Sequence, residues 1–161
     1  MDNDIKDKLL GFLCLCDDMN DRLFPGEHGK LRTDVRNDLL AYFSFLIYSD
    51  NLLTDNELEF IAYYFDEEFD EKKLKSLYNS EQNELSVPIS ITYFVKIDND
   101  LFKKNGMISA LTSEYIDIYK QLGMEIICSD RTLAMTEFKD YNDYISMIES
   151  YAGAYLTSMY E

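Results

Sequence analysis

Apolar residues recur at helical spacing along most of the chain. Ile5, Leu9, Phe12, Leu13 and Cys16 share one face and predict a first helix from about Asp4 to Asp17. A break follows at "FPGEHGK", which holds one of the two prolines and two of the six glycines. Asp34 then opens a second helix with Leu39, Leu40, Phe43, Leu46 and Ile47 on its apolar face, ending at Asp50-Asn51. Thr54 begins a third, with Leu58, Ile61, Ala62 and Phe65 facing inward, and Asp70 is placed to cap a shorter helix carrying Leu74 and Leu77.

The segment "SVPISITYFVKI" fits two periods. Val87, Ile89, Ile91, Tyr93, Val95 and Ile97 alternate as a strand would, and the β-branched residues suit one. Ile89, Tyr93, Phe94 and Ile97 also fit a helix with Pro88 in its first turn. A lone strand has no partner elsewhere in the chain, so helix is the preferred reading. A long apolar helix follows over about Ser109 to Ser129. The last runs from Ala134 through Phe138, Tyr141, Tyr144, Ile145 and Ile148, toward "AGAYLTSMY". The expectation is one all-α domain spanning residues 1–161, a bundle of about seven helices.

One phrase occurs twice. Residues 49–57 read "SDNLLTDNE" and residues 129–137 read "SDRTLAMTE", each with Ser-Asp, a later Leu and a closing Glu at the same spacing. Both sit at the junction of two predicted helices, so the bundle is expected to contain two related helix–loop–helix halves, each pair antiparallel. Glu57 lies one turn before core-facing Ile61, which turns it toward the packed side of its helix start, with Asp50 close by across the short loop. Thr54 and Glu57 form a capping box, and an acid in the first turn suits the helix dipole. Ala134 stands where Thr54 does and cannot cap, although Asp130 and Glu137 are retained. Capping therefore accounts for the first copy better than for the second. If both junctions lie on one side of the bundle, Asp50, Glu57, Asp130 and Glu137 make a four-carboxylate patch that a divalent cation or a basic partner would relieve. Oxygen-only ligands would suit calcium, magnesium or manganese. The spacing is not that of an EF-hand loop.

Charge narrows the partner classes. The net charge is −16, with 47% hydrophobic residues, so the chain can build a core and still repels phosphate. Direct nucleic-acid binding is not expected; a basic protein partner or a hard cation is. Cys14, Cys16 and Cys128, an odd set without a Cys-x-x-Cys pair, are expected to fill core positions. The start "MDNDIKDK" is acidic where a secretory signal is basic, and no membrane span is present, so a cytoplasmic location is expected. His28, the one histidine, sits in a turn whose Gly-Lys lacks phosphate-loop spacing, and no nucleophile or cofactor loop stands near the acids. No enzymatic activity is expected.

The stretch "AYFSFLIYSDNLLTDNELEFIAYYF" (41–65) resembles the TerB-like family, known from the tellurite-resistance protein. Its members carry an acidic helix end, then an apolar residue, a Ser or Thr and a Glu opening the next helix; here these are Asp50, Leu53, Thr54 and Glu57, with Asn51 for the usual Gly. "LGMEIICSDRTLAMTEFKDYNDYI" (122–145) is similar to the weaker second copy, with Arg131 and Ala134 departing from it. The resemblance implies an all-helical fold and a non-catalytic acidic module that binds divalent metal or partner proteins in stress response or phage defence. It places Asp50, Glu57, Asp130 and Glu137 at the acidic motif positions. Composition supports a second reading, an immunity or antitoxin protein that neutralises a basic toxin by charge.

Overall fold

The computed structural model describes residues 2–48, 55–80, 86–106, 109–129 and 135–156, with all their side chains except those of 77–80, 129 and 135–137. Among the described residues there are seven helices and no strand. They are α1 (Asn3–Leu23), α2 (Lys30–Ile47), α3 (Asp55–Phe65), α4 (Glu71–Ser80), α5 (Ile89–Asn105), α6 (Leu111–Ser129) and α7 (Met135–Tyr155). The expected all-α bundle is what the chain forms, and 87–97 belongs to a helix. None of the described helices is long and apolar enough to cross a membrane.

α2 is the central element, packed against α1, α4, α5, α6 and α7. Its second half shows why: Leu39, Leu40, Tyr42, Phe43, Ser44, Leu46 and Ile47 are all buried, leaving almost no face for water. A helix apolar on nearly every side must sit inside the bundle. Around it runs a continuous set of rings. Phe12 of α1 stacks on Tyr115 of α6 at 5.2 Å, Tyr115 meets Tyr119 at 5.0 Å, and Tyr42 meets Tyr119 at 4.8 Å and Tyr144 of α7 at 4.6 Å. Each such pair adds roughly 0.5–1.5 kcal/mol beyond the area it buries.

Three helix starts share a feature, and one of them, α2, departs from the expected position because of it. α2 begins at Lys30 and not at Asp34, behind Gly29 at φ 69°, which has no side chain to cap with. The buried side chain of Asn20, in α1, accepts from the Leu31 N–H at 2.9 Å instead. α5 follows Pro88, and Asp38 of α2 accepts from the Ser90 N–H at 2.9 Å. α6 follows Ala110, and Asp98 of α5 accepts from the Thr112 N–H at 2.9 Å. In all three the second helical residue is capped by a carboxylate or amide from another helix. The orphan donors of a helix start are satisfied and two elements are pinned together at once. Two helices cap locally: Asp2 accepts from Asp4 and Ile5 at the start of α1, and Asp70 caps α4 through Lys73 at 2.8 Å, as expected.

Three side-chain expectations are corrected. Phe138, read as part of the inward stripe of α7, is 41% exposed. Cys14 and Cys128 are exposed, and only Cys16 fills the core. The hydroxyls of Tyr64 and Tyr141 bond to backbone groups of Asp2 and Lys120. Burial also pushes the Cys16 thiol up to about 12, so its thiolate is scarce at neutral pH. Iodoacetamide at mildly alkaline pH is expected to modify Cys14 and Cys128 in the folded protein and Cys16 only in denaturant, as read by peptide mass spectrometry. Equal labelling of all three would contradict the packing of α1.

Candidate functional site

The four repeated-phrase residues are unequally placed. Glu57 lies in the first turn of α3 and is 3% exposed, facing inward as expected. It stands close enough to Tyr48, at the end of α2, to help raise that phenol, after burial and Glu71. Asp50 and Asp130 lie outside the described residues. Glu137 is in the first turn of α7, and its side chain is likewise outside them. Among the described residues no group of three or more His, Cys, Asp or Glu side chains is arranged to hold a metal ion.

The helices that carry the phrase have a defined relation. Ser90 hydrogen-bonds Asp38 of α2 and lies 2.6 Å from the Tyr115 hydroxyl of α6. One turn further along both helices, the Tyr42 hydroxyl donates to the Tyr119 carbonyl at 3.1 Å. These matched steps mean that α2 and α6 run side by side in the same direction. Their C-terminal ends, from which the two junctions leave, are therefore at one end of the bundle. α7 returns antiparallel along α6, with Lys120 paired to Glu149 at 2.7 Å and Tyr119 against Tyr144.

The polar thread from Asp38 through Ser90, Tyr115 and Tyr119 is structural chemistry. Desolvation raises the Tyr42, Tyr115 and Tyr119 hydroxyls well above the ordinary phenol range, so they remain protonated and act as fixed donors. Their geometry satisfies buried polar groups and aligns α2, α5 and α6.

One set of exposed acids lies on α1. Asp4, Asp7, Asp18 and Asp21 are exposed and fall on one outward face, with Gly11 and Cys14 between them and Lys8 and Arg22 at the flanks. None of the four takes part in an ion pair among the described residues. Asp17, beside this ridge, is paired with Arg32 at 2.8 Å. This face is not among the positions expected from the repeated phrase. The signal was present, since these acids stand opposite Leu9, Phe12, Leu13 and Cys16 at the same helical period.

Cations gather at one end of α1 and α5. Arg22, Lys96 and Lys104 border a cleft of about 320 Å³ between the ends of α1 and α5, with Asp100 among them. Both helices present their C-terminal, electronegative ends there, and cations in the last turn offset that charge. Elsewhere on the surface Glu67 receives Lys73 and Arg36, which hold its carboxyl down to about 2.

Comparison with protein-family models, with curated proteins and with solved structures finds no match to this chain.

Proposed function

We propose that the protein is a non-enzymatic acidic binding module whose partner is a basic protein. The observation that supports this is the α1 ridge: four exposed carboxylates outside any ion pair among the described residues, on a chain of net charge −16. Unpaired surface charge of one sign adds little to stability and speeds encounter with an oppositely charged partner. An immunity or antitoxin role is the same reading with a basic toxin as the partner. Binding of poly-L-lysine and of a basic protein, followed across a salt series, tests it. The quadruple variant Asp4→Asn, Asp7→Asn, Asp18→Asn, Asp21→Asn is expected to bind about tenfold more weakly at low salt and to lose most of its salt dependence. Wild-type binding by this variant would overturn the reading.

A second reading, divalent-cation binding by a TerB-like module, draws on two observations. The α2 and α6 ends lie at one end of the bundle, and Glu57 is buried beside one of them. Asp50, Glu57, Asp130 and Glu137 would supply oxygen ligands, with calcium, magnesium or manganese as the ion. Calorimetric titration with each ion decides it. Heat and thermal stabilisation at millimolar ion, both removed by Asp50→Asn with Asp130→Asn, support this reading. Their absence in the wild type ends it.

A further inference from the structure

Resting on the acidic-module reading, we infer that a groove between α1, α6 and α7 is where the partner docks, and that the partner presents a basic amphipathic helix to it. The groove encloses about 390 Å³ and is lined by Ile5 of α1, Met124, Cys128 and Glu125 of α6, and Tyr141 of α7, with Lys120 at its edge. That volume is within the range of about 300–1,000 Å³ typical of small-ligand pockets.

The exposed apolar surface extends beyond the lining. Met124, in the lining, is 37% exposed, and Phe138, outside it but with its ring 6.1 Å from that of Tyr141, is 41% exposed. They are two of the four large apolar side chains left exposed among the described residues. Exposed Met is a soft, adaptable contact surface, and Phe is a common anchor at interfaces. Ile5, Met124, Cys128 and Tyr141 suit the lining to apolar side chains, and Phe138 continues that surface beside Tyr141.

Charge selects which apolar partner fits. Lys120, the one cation lining the groove among the described residues, is paired with Glu149 at 2.7 Å and also feels Asp117. Glu125 remains in the lining, and Asp4, the first acid of the α1 ridge, precedes Ile5, with Lys8 between the groove and the rest of the ridge. A helix with leucines on one face and lysines or arginines on the other would place its apolar face on Met124 and Phe138 and its cations against these carboxylates. This is the helix-in-groove mode, in which apolar anchors give affinity and rim charges give orientation.

The test uses two synthetic peptides of equal charge, one an amphipathic Leu/Lys helix and one with the leucines replaced by serine. The wild-type protein is expected to bind the Leu/Lys peptide about tenfold more tightly than the serine peptide, the scale of one well-buried anchor. Met124→Ser with Phe138→Ser should remove that difference without altering the serine peptide's affinity, with circular dichroism checking that the variant keeps its helices. Alkylation of Cys128 should slow in the presence of the Leu/Lys peptide. Equal binding of the two peptides by the wild type, or an unchanged preference in the double variant, overturns the groove and leaves the acidic-module reading standing. Binding of neither peptide overturns both. Self-association in sedimentation that the double variant abolishes would assign the groove to a second copy of the chain and also overturn the inference.

Discussion

Gly123→Ala is expected to lower the melting temperature by about 10 °C, as a loss of about 3 kcal/mol implies for a domain of this size. The usual sign is the reverse, because alanine in a helix interior is about 1 kcal/mol better than glycine. Here a β-carbon on Gly123 would overlap the Tyr42 hydroxyl and come within 2.7 Å of two ring carbons of Tyr141. Tyr42 cannot step aside. It is fully buried, with Phe43, Tyr119 and Tyr144 around its ring. Its hydroxyl donates to the Tyr119 carbonyl at 3.1 Å, so displacement leaves a buried donor without an acceptor. Overpacking costs about 1–3 kcal/mol and the unsatisfied hydroxyl about another 1–3. A double-mutant cycle isolates the cause. In the Tyr42→Phe background the atom nearest the new methyl is gone, and Gly123→Ala should cost markedly less, by about 1–2 kcal/mol. Denaturant midpoints of the four proteins measure this. A neutral or stabilising Gly123→Ala would contradict the close approach of α2, α6 and α7.

This close approach marks the limit of what could be read along the chain. Periodicity located seven helices because each has a stripe of apolar residues, and that stripe is a local property. It resolved 87–97 only through the absence of a partner strand. The structure supplies the positive reason: Ile91, Phe94, Val95 and Asp98 are buried at helical spacing while Ile89 is exposed. The start of α2 departs from its expected position because its cap is nonlocal. Asp34 looked like an opening residue, but its carboxylate receives Lys30 and Tyr93 while Asn20 starts the helix four residues earlier. Gly29, Pro88 and Ala110 carry no acceptor, so no neighbouring residue announces the caps of α2, α5 and α6. Phe138 and the two exposed cysteines failed for a related reason. An apolar residue on a helical stripe is buried only if a neighbour covers that stretch, and the stripe of α7 continues past its cover at Phe138. Of the candidate site, the inward turn of Glu57 was legible from its spacing to Ile61. The α1 ridge was legible in principle by the same rule. The groove was not, because Ile5, Met124 and Tyr141 are brought together only by the packing of three helices.

The borrowed caps themselves yield the second large effect, an expected loss of about 3–5 kcal/mol for Asp98→Ala. Asp98 is 1% exposed in α5, and one of its oxygens accepts from both the Thr112 N–H at 2.9 Å and the Thr112 hydroxyl at 2.7 Å. Alanine leaves two buried donors unmatched at the positive end of α6 and opens a carboxylate-sized void beside them. The other oxygen, Oδ1, is buried without a hydrogen-bond partner. That asymmetry separates the role of the acceptor from the role of the charge. An asparagine side chain retains a carbonyl oxygen for Thr112 and puts its amide where the unpartnered oxygen was, so Asp98→Asn trades one unmatched group for another. Its cost should stay within about 1 kcal/mol, because the desolvated negative charge is removed along with the lost attraction to the helix end. Urea midpoints of the two variants, with hydrogen exchange at the first turn of α6, make the comparison. Early exchange at Thr112 in Asp98→Ala but not in Asp98→Asn identifies the capping acceptor as what ties α5 to α6. Equal losses in both variants would assign the effect to the charge, and the borrowed cap would then be incidental to why α6 starts where it does.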